Sequence, residues 1–95
     1  MIPQYKSVNI TAAAPTTTVV ATGNGTLHTI TFNKPVATGV VTIYNNTAAS
    51  GTVIATITVP ASPMPVTLTY DCAFAIGLTI VTATAAQDIT VTYNQ

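Results

Sequence analysis

The chain has no arginine, no glutamate and no tryptophan, and its 95 residues include one cysteine, one histidine, two lysines and two aspartates. Each shortage removes a class of function. A lone cysteine, Cys72, leaves no partner for an intramolecular disulfide. Two lysines make neither a basic patch for nucleic-acid phosphates nor a polybasic membrane anchor, so no nucleic acid and no membrane are expected as partners. No low-charge run of apolar residues is long enough to span a bilayer as a helix. The start MIPQYKSVNI has neither the charged n-region nor the apolar stretch of a secretory signal, so synthesis in a cytoplasm is expected, with any later export by another route such as release inside a particle. Acid–base and nucleophilic catalysis draw on titratable groups that are nearly absent, and no close-spaced His/Cys pair suggests a metal. A non-enzymatic protein without metal or cofactor is the expectation.

The shortage of charge also bears on self-association. Charged residues make up 4% of the chain and the formal net charge is zero, whereas an ordinary soluble domain is about 25% charged. Net charge is what keeps most small domains apart in solution. A chain without that protection is expected to be one piece of a larger assembly.

Threonine fills the space that charge leaves, with 21 copies, and Thr, Val and Ile together supply 41 residues. These β-branched types suit a pleated sheet and lose rotamer freedom in a helix. They alternate with period two. His28, Ile30 and Phe32 share one face against Thr29 and Thr31; Val53, Ala55, Ile57 and Val59 oppose Thr52, Ile54, Thr56 and Thr58. Val66, Leu68, Tyr70, Cys72 and Phe74 oppose Thr67, Thr69 and Asp71, and Ile89, Val91 and Tyr93 oppose Thr90 and Thr92. Such alternation predicts half-buried strands with threonine outside. Turn residues separate the runs: Gly23-Asn24-Gly25, Asn33-Lys34-Pro35, Asn45-Asn46-Thr47, the 48–51 stretch, the proline-rich connector 60–65 and the 85–88 link. The pattern predicts about eight strands, near 5–10, 16–22, 26–33, 39–44, 52–59, 66–72, 78–84 and 88–93, with no significant helix. Short strands at this spacing make an all-β antiparallel sandwich of jelly-roll type. Residues 1–15 read as an N-terminal arm or edge strand, and 16–95 as a single sandwich domain.

Single residues add little chemistry. His28 shares the parity of Ile30 and Phe32, so it is expected inside, bonded to a backbone carbonyl. Cys72 reads as a small buried hydrophobe, and Asp71 and Asp88 as strand-end and turn residues. The repeated Thr-x-Thr pairs resemble the rows of ice-binding solenoids. A sandwich with threonine on its outer faces produces the same pairs once per strand, and the segments between them do not repeat. Stacking on sugars would require exposed aromatics, for which Tyr5 and Tyr44 are the candidates.

Through GTLHTITF (25–32), GVVTIYNNTAASGTVIATITVP (39–60), YDCAFAIGLTIV (70–81) and DITVTY (88–93), residues 16–95 resemble small β-sandwich structural proteins of tailed bacteriophages, most of all capsid decoration (cement) proteins. The resemblance implies a virion protein on the capsid surface, made in the cytoplasm of a bacterial host. It would bind the major capsid protein and itself, commonly as a homotrimer, and stabilise the shell. The alternative within the same resemblance is a tail or fibre module that binds a host-surface glycan. For the decoration reading, contacts are expected in the arm, at Ile2, Pro3 and Tyr5, and in the connector, at Pro60, Pro63, Met64 and Pro65.

Overall fold

Each run of alternating β-branched residues forms a strand. A computed structural model describes residues 4–95 and contains β1 (Lys6–Ile10), β2 (Thr16–Thr22), β3 (Gly25–Lys34), β4 (Val40–Asn45), β5 (Thr52–Thr58), β6 (Val66–Phe74), β7 (Gly77–Ala83) and β8 (Asp88–Asn94). They form two four-stranded antiparallel sheets with strand orders β1-β8-β3-β6 and β2-β7-β4-β5. Pairing is nested. The β4–β5 hairpin is innermost, and β3 with β6, β2 with β7 and β1 with β8 lie successively outward. A long hairpin rolled so that its successive pairs fall in alternate sheets is a jelly roll. Residues 6–10, at the start of the chain, form an edge strand paired with β8.

Between the sheets lies one apolar layer. Leu27, Ile30 and Phe32 of β3 meet Val41 and Ile43 of β4, Leu78 and Ile80 of β7, and Ile89 and Val91 of β8, all fully or almost fully buried. Each such side chain contributes about 1.5–3 kcal/mol by leaving water. Phe74 and Tyr93 are buried as their parity predicts, and Tyr70 and Cys72 pack partly against the same core. Burial, with the Asp71 carboxylate as a second cause, pushes the Cys72 thiol up, so it stays protonated.

Strict alternation fails at bulges in both sheets. Leu27 pairs with Tyr93 and Cys72, but Thr29 pairs with Thr92 and Thr69. Going across from β8 to β3 to β6, one, two and three steps of chain occupy the same level of the sheet. His28 is the extra residue of β3 relative to β8, and the additional step on β6 falls at Tyr70 and Asp71, with Asp71 at φ 47. An extra residue shifts the facing of what precedes it. Leu27 and Ile30 therefore both point inward, and His28, expected inside, does not join the core. Asp71 likewise sits within β6 rather than at a strand end. On β5 the register skips Ile54, which turns Val53 to the outer face and leaves it 46% exposed, contrary to its parity with Ala55 and Ile57. Further register shifts fall at Asn33 on β3 and at Val20 on β2.

The connections at the two ends are held by side chains. Gly23 takes φ 84, a conformation glycine adopts without steric cost, and its N–H donates to the Ile76 carbonyl at 2.9 Å. Asn45 Oδ1 accepts from the N–H groups of Ala75 and Ile76 at 3.0 and 3.1 Å, tying the β4–β5 turn to the β6–β7 turn. At the opposite end, buried Gln87 holds both polar groups of Val36: the Val36 N–H donates to Oε1 at 2.8 Å, and Nε2 donates to the Val36 carbonyl at 2.9 Å. Gln87 thus clamps the β7–β8 connection to the β3–β4 connection.

Two stability changes of opposite sign follow. Thr82 lies on the inner face of β7, fully buried, and its hydroxyl has no hydrogen-bond partner among the described residues. Thr82→Val removes an unpaired buried hydroxyl and is expected to stabilise by about 1 kcal/mol, read as a Tm increase of about 4–8 °C. Gln87→Ala strands both Val36 groups and is expected to cost about 2 kcal/mol, read as a lower urea midpoint with an unchanged slope.

Candidate functional site

The β5–β6 connector begins at Val59, which is buried and pinned on both sides. Its N–H donates to the Gly39 carbonyl at 2.9 Å, and its carbonyl accepts from the Thr38 N–H at 3.0 Å. From there Pro60, Pro63 and Pro65 prevent ladder pairing, so the chain crosses from one sheet to the other without closing the gap between them. An apolar cleft of about 390 Å³ opens there between the edge strands β5 and β6. Phe32, Ile57, Val59 and Leu68 line it from the core side, and Pro60, Pro63, Met64 and Val66 from the outer side. Met64 is 77% exposed. Among the described residues no titratable side chain lines the cleft, and Ser62 and Thr58 supply its hydroxyls. The exposed surface of the cleft is mainly apolar.

The connector residues predicted to make contacts are therefore distributed around one feature. Pro60, Pro63 and Met64 border the cleft, while Pro65 is exposed beside it. Tyr5 is elsewhere. It precedes Lys6, whose row across the sheet is Tyr93, Leu27 and Cys72, whereas the cleft lies near the row Ile10, Ile89, Phe32 and Val66 at the other end. Ile2 and Pro3 lie outside the described residues.

Tyr5 instead stacks on His28, with ring centroids 4.1 Å apart and planes within 10°. The Nδ1 atom of His28 contacts the Asp71 carboxylate. Residues from β3 and β6, with Tyr5 just ahead of β1, thus meet on the outer face of the β1-β8-β3-β6 sheet. The bulges bring His28 and Asp71 out together, and the sequence carries no signal for two bulges at one level. Among the described residues, no three of His, Cys, Asp and Glu come together as a metal site would need.

The rest of this outer face is a hydrogen-bonded polar grid. Ser7, Thr92, Thr29 and Thr69 form one row, and Asn9, Thr90, Thr31 and Thr67 the next. The Thr29 and Thr92 hydroxyls are bonded to each other, as are those of Thr31 and Thr67 at 3.0 Å. Asp88 accepts from Asn9 at 2.8 Å and from Asn33 at 3.1 Å. The Thr-x-Thr pairs of β3, β6 and β8 thus lie side by side as ordinary cross-strand neighbours of a sandwich.

Those two amide donors, Asn9 first, hold the Asp88 carboxyl below the usual carboxylate range, with Lys34 adding a smaller pull. A depressed folded-state pKa gives stability that is present above the unfolded value, about 3.9, and is lost as pH falls through the folded value. Urea midpoints measured from pH 7 down to pH 2 should therefore fall further for the wild type than for Asp88→Asn, with the difference developing below about pH 4. Equal acid losses in the two proteins would show that the Asn9 and Asn33 contacts contribute nothing. Compared with known proteins, the chain matches no family model, no curated protein and no solved structure at a significant level.

Proposed function

We propose that this domain is a non-enzymatic structural protein of a virion, a decoration or cement protein that binds the outer surface of a capsid as an oligomer and stabilises the shell. The observation that carries the reading is the placement of its few charges. Lys6, Lys34, Asp71 and Asp88 fall one to each strand of the β1-β8-β3-β6 sheet, and the strands of the other sheet have none. Half of the sandwich, together with the apolar cleft, has the composition of a surface that is covered, because charge is depleted at interface cores. Jelly rolls occur among capsid and lectin domains, which is compatible with the reading and does not select it.

A cement protein works by mass action. Binding the assembled shell and not its separated subunits shifts the equilibrium away from rupture, by about 2.7 kcal/mol per site at a hundredfold excess over Kd. Many copies on one lattice multiply a modest contact. In this reading the cleft, with Met64 and Pro63 at its mouth, accepts an apolar side chain from the shell, and the oligomer is the homotrimer that the phage resemblance implies.

The test is to measure native mass and then co-sedimentation with expanded empty capsids. The protein is expected to pellet with capsids, and Met64→Lys should weaken pelleting while leaving the melting temperature within a few degrees, since Met64 is exposed. A protein that ignores capsids would remove the reading, and retention on a glycan array instead would assign it to a tail or fibre module.

A further inference from the structure

The outer face of the β2-β7-β4-β5 sheet differs in kind from the outer face of its partner sheet. Cross-strand register sets its rows: Thr17, Val81, Thr42 and Thr56 in one, Val19, Thr79, Tyr44 and Val53 in another, and Ala83, Val40 and Thr58 at the end. Val19 and Val53, on the two edge strands, are 48% and 46% exposed. Thr79 is covered, its hydroxyl donating to the Asn46 carbonyl at 2.7 Å. Among the described residues the hydroxyls of Thr17, Thr42, Thr56 and Thr58 make no side-chain hydrogen bonds within the chain. The grid on the other sheet bonds most of its own polar groups, through Thr29–Thr92, Thr31–Thr67 and the Asn9–Asp88–Asn33 set, while Ser7 and Thr69 make no side-chain hydrogen bond among the described residues. One face is largely bonded within itself and bears Lys34, Asp71 and Asp88; the other is uncharged, with free hydroxyls set among valines.

We propose that the outer face of the β2-β7-β4-β5 sheet is the contact between copies of this chain. The inference rests on the assembly reading above and names a surface for it, but as a two-fold pair in place of the homotrimer, because a face packed against the same face of a second copy is isologous. Charge selects the partner. A charged group buried against this face would find no counter-charge, a penalty of several kcal/mol, so the occupant must present an uncharged surface of its own. A second copy supplies one with the same row spacing and twist. Valines then bury apolar area, and hydroxyls that lack partners within one chain find them across the contact.

The area comes close to the lower limit for a specific contact. Four strands about 4.8 Å apart and six or seven residues long give a flat footprint of about 19 by 22 Å, on the order of 400 Å² before side-chain relief and flanking turns are added. A specific interface needs about 500 Å² from each partner. The bulges at Val20 and Ile54 interrupt the two edges of this sheet, which discourages edge-to-edge pairing and leaves face packing as the mode of contact.

The experiment is sedimentation equilibrium of the full chain over a wide concentration range, with three charge insertions. Thr42→Lys places a cation at the centre of the uncharged face. Thr56→Lys does so on exposed edge strand β5, where folding is least affected. Thr67→Lys adds the same charge to the outer face of the other sheet. The wild type is expected to be oligomeric, Thr42→Lys and Thr56→Lys to associate at least roughly tenfold more weakly, and Thr67→Lys to associate like the wild type. Should Thr42→Lys fail to fold, Thr56→Lys alone decides. A monomeric wild type overturns the inference, and so does an oligomer that Thr67→Lys breaks and Thr56→Lys does not. The second outcome leaves the capsid reading standing, because co-sedimentation with capsids tests that separately.

Discussion

Nested pairing of the eight strands forces every connection except β4–β5 to cross from one sheet to the other at an end of the sandwich, and the features that matter most lie where those crossings are tight or loose. The tight ones need special residues: Gly23 with its positive φ, and the Asn45 side chain that caps the β6–β7 turn. The loose one is the proline-rich crossing from β5 to β6. Its prolines deny hydrogen bonds to either edge strand, so the sheets stay apart at that corner and the cleft floored by Phe32 remains open. Gln87 holds the β3–β4 and β7–β8 crossings together through both polar groups of Val36.

Threonine makes this architecture workable without charge. A sheet face normally stays soluble by carrying Lys and Glu; here a β-branched residue with a hydroxyl occupies the outward positions and favours the strand conformation as well. On the β1-β8-β3-β6 sheet those hydroxyls bond sideways to their neighbours and sit among the charged groups. On the β2-β7-β4-β5 sheet they do not bond one another. The same residue type thus produces two faces of different chemistry, one suited to water and one to a neighbour.

Much of the fold was legible because its signals are local. Period-two runs place all eight strands to within about two residues, and inward aromatics such as Phe32, Phe74 and Tyr93 follow from parity alone. What parity cannot carry is a bulge. Parity alone puts His28 and Val53 on the wrong face because each lies at or before an extra residue, and the extra residue is defined by the partner strand, not by its own neighbours. The site was legible only in part. Pro60, Pro63 and Met64 stand out in sequence, but Phe32, Ile57 and Leu68 join them through long-range pairing. The grouping of charge on one sheet is equally hidden, since Lys6, Lys34, Asp71 and Asp88 are spread along the chain and meet only once the strand order is known.

If the uncharged sheet is the covered one, association should not depend on charge at all. The most direct measurement is the self-association constant as a function of sodium chloride concentration. The account predicts a constant that stays level or rises slightly from low to high salt, as expected for a contact made of valines and hydroxyls. A constant that falls steeply with salt would place the contact on the sheet that carries Lys34, Asp71 and Asp88, and would contradict the account.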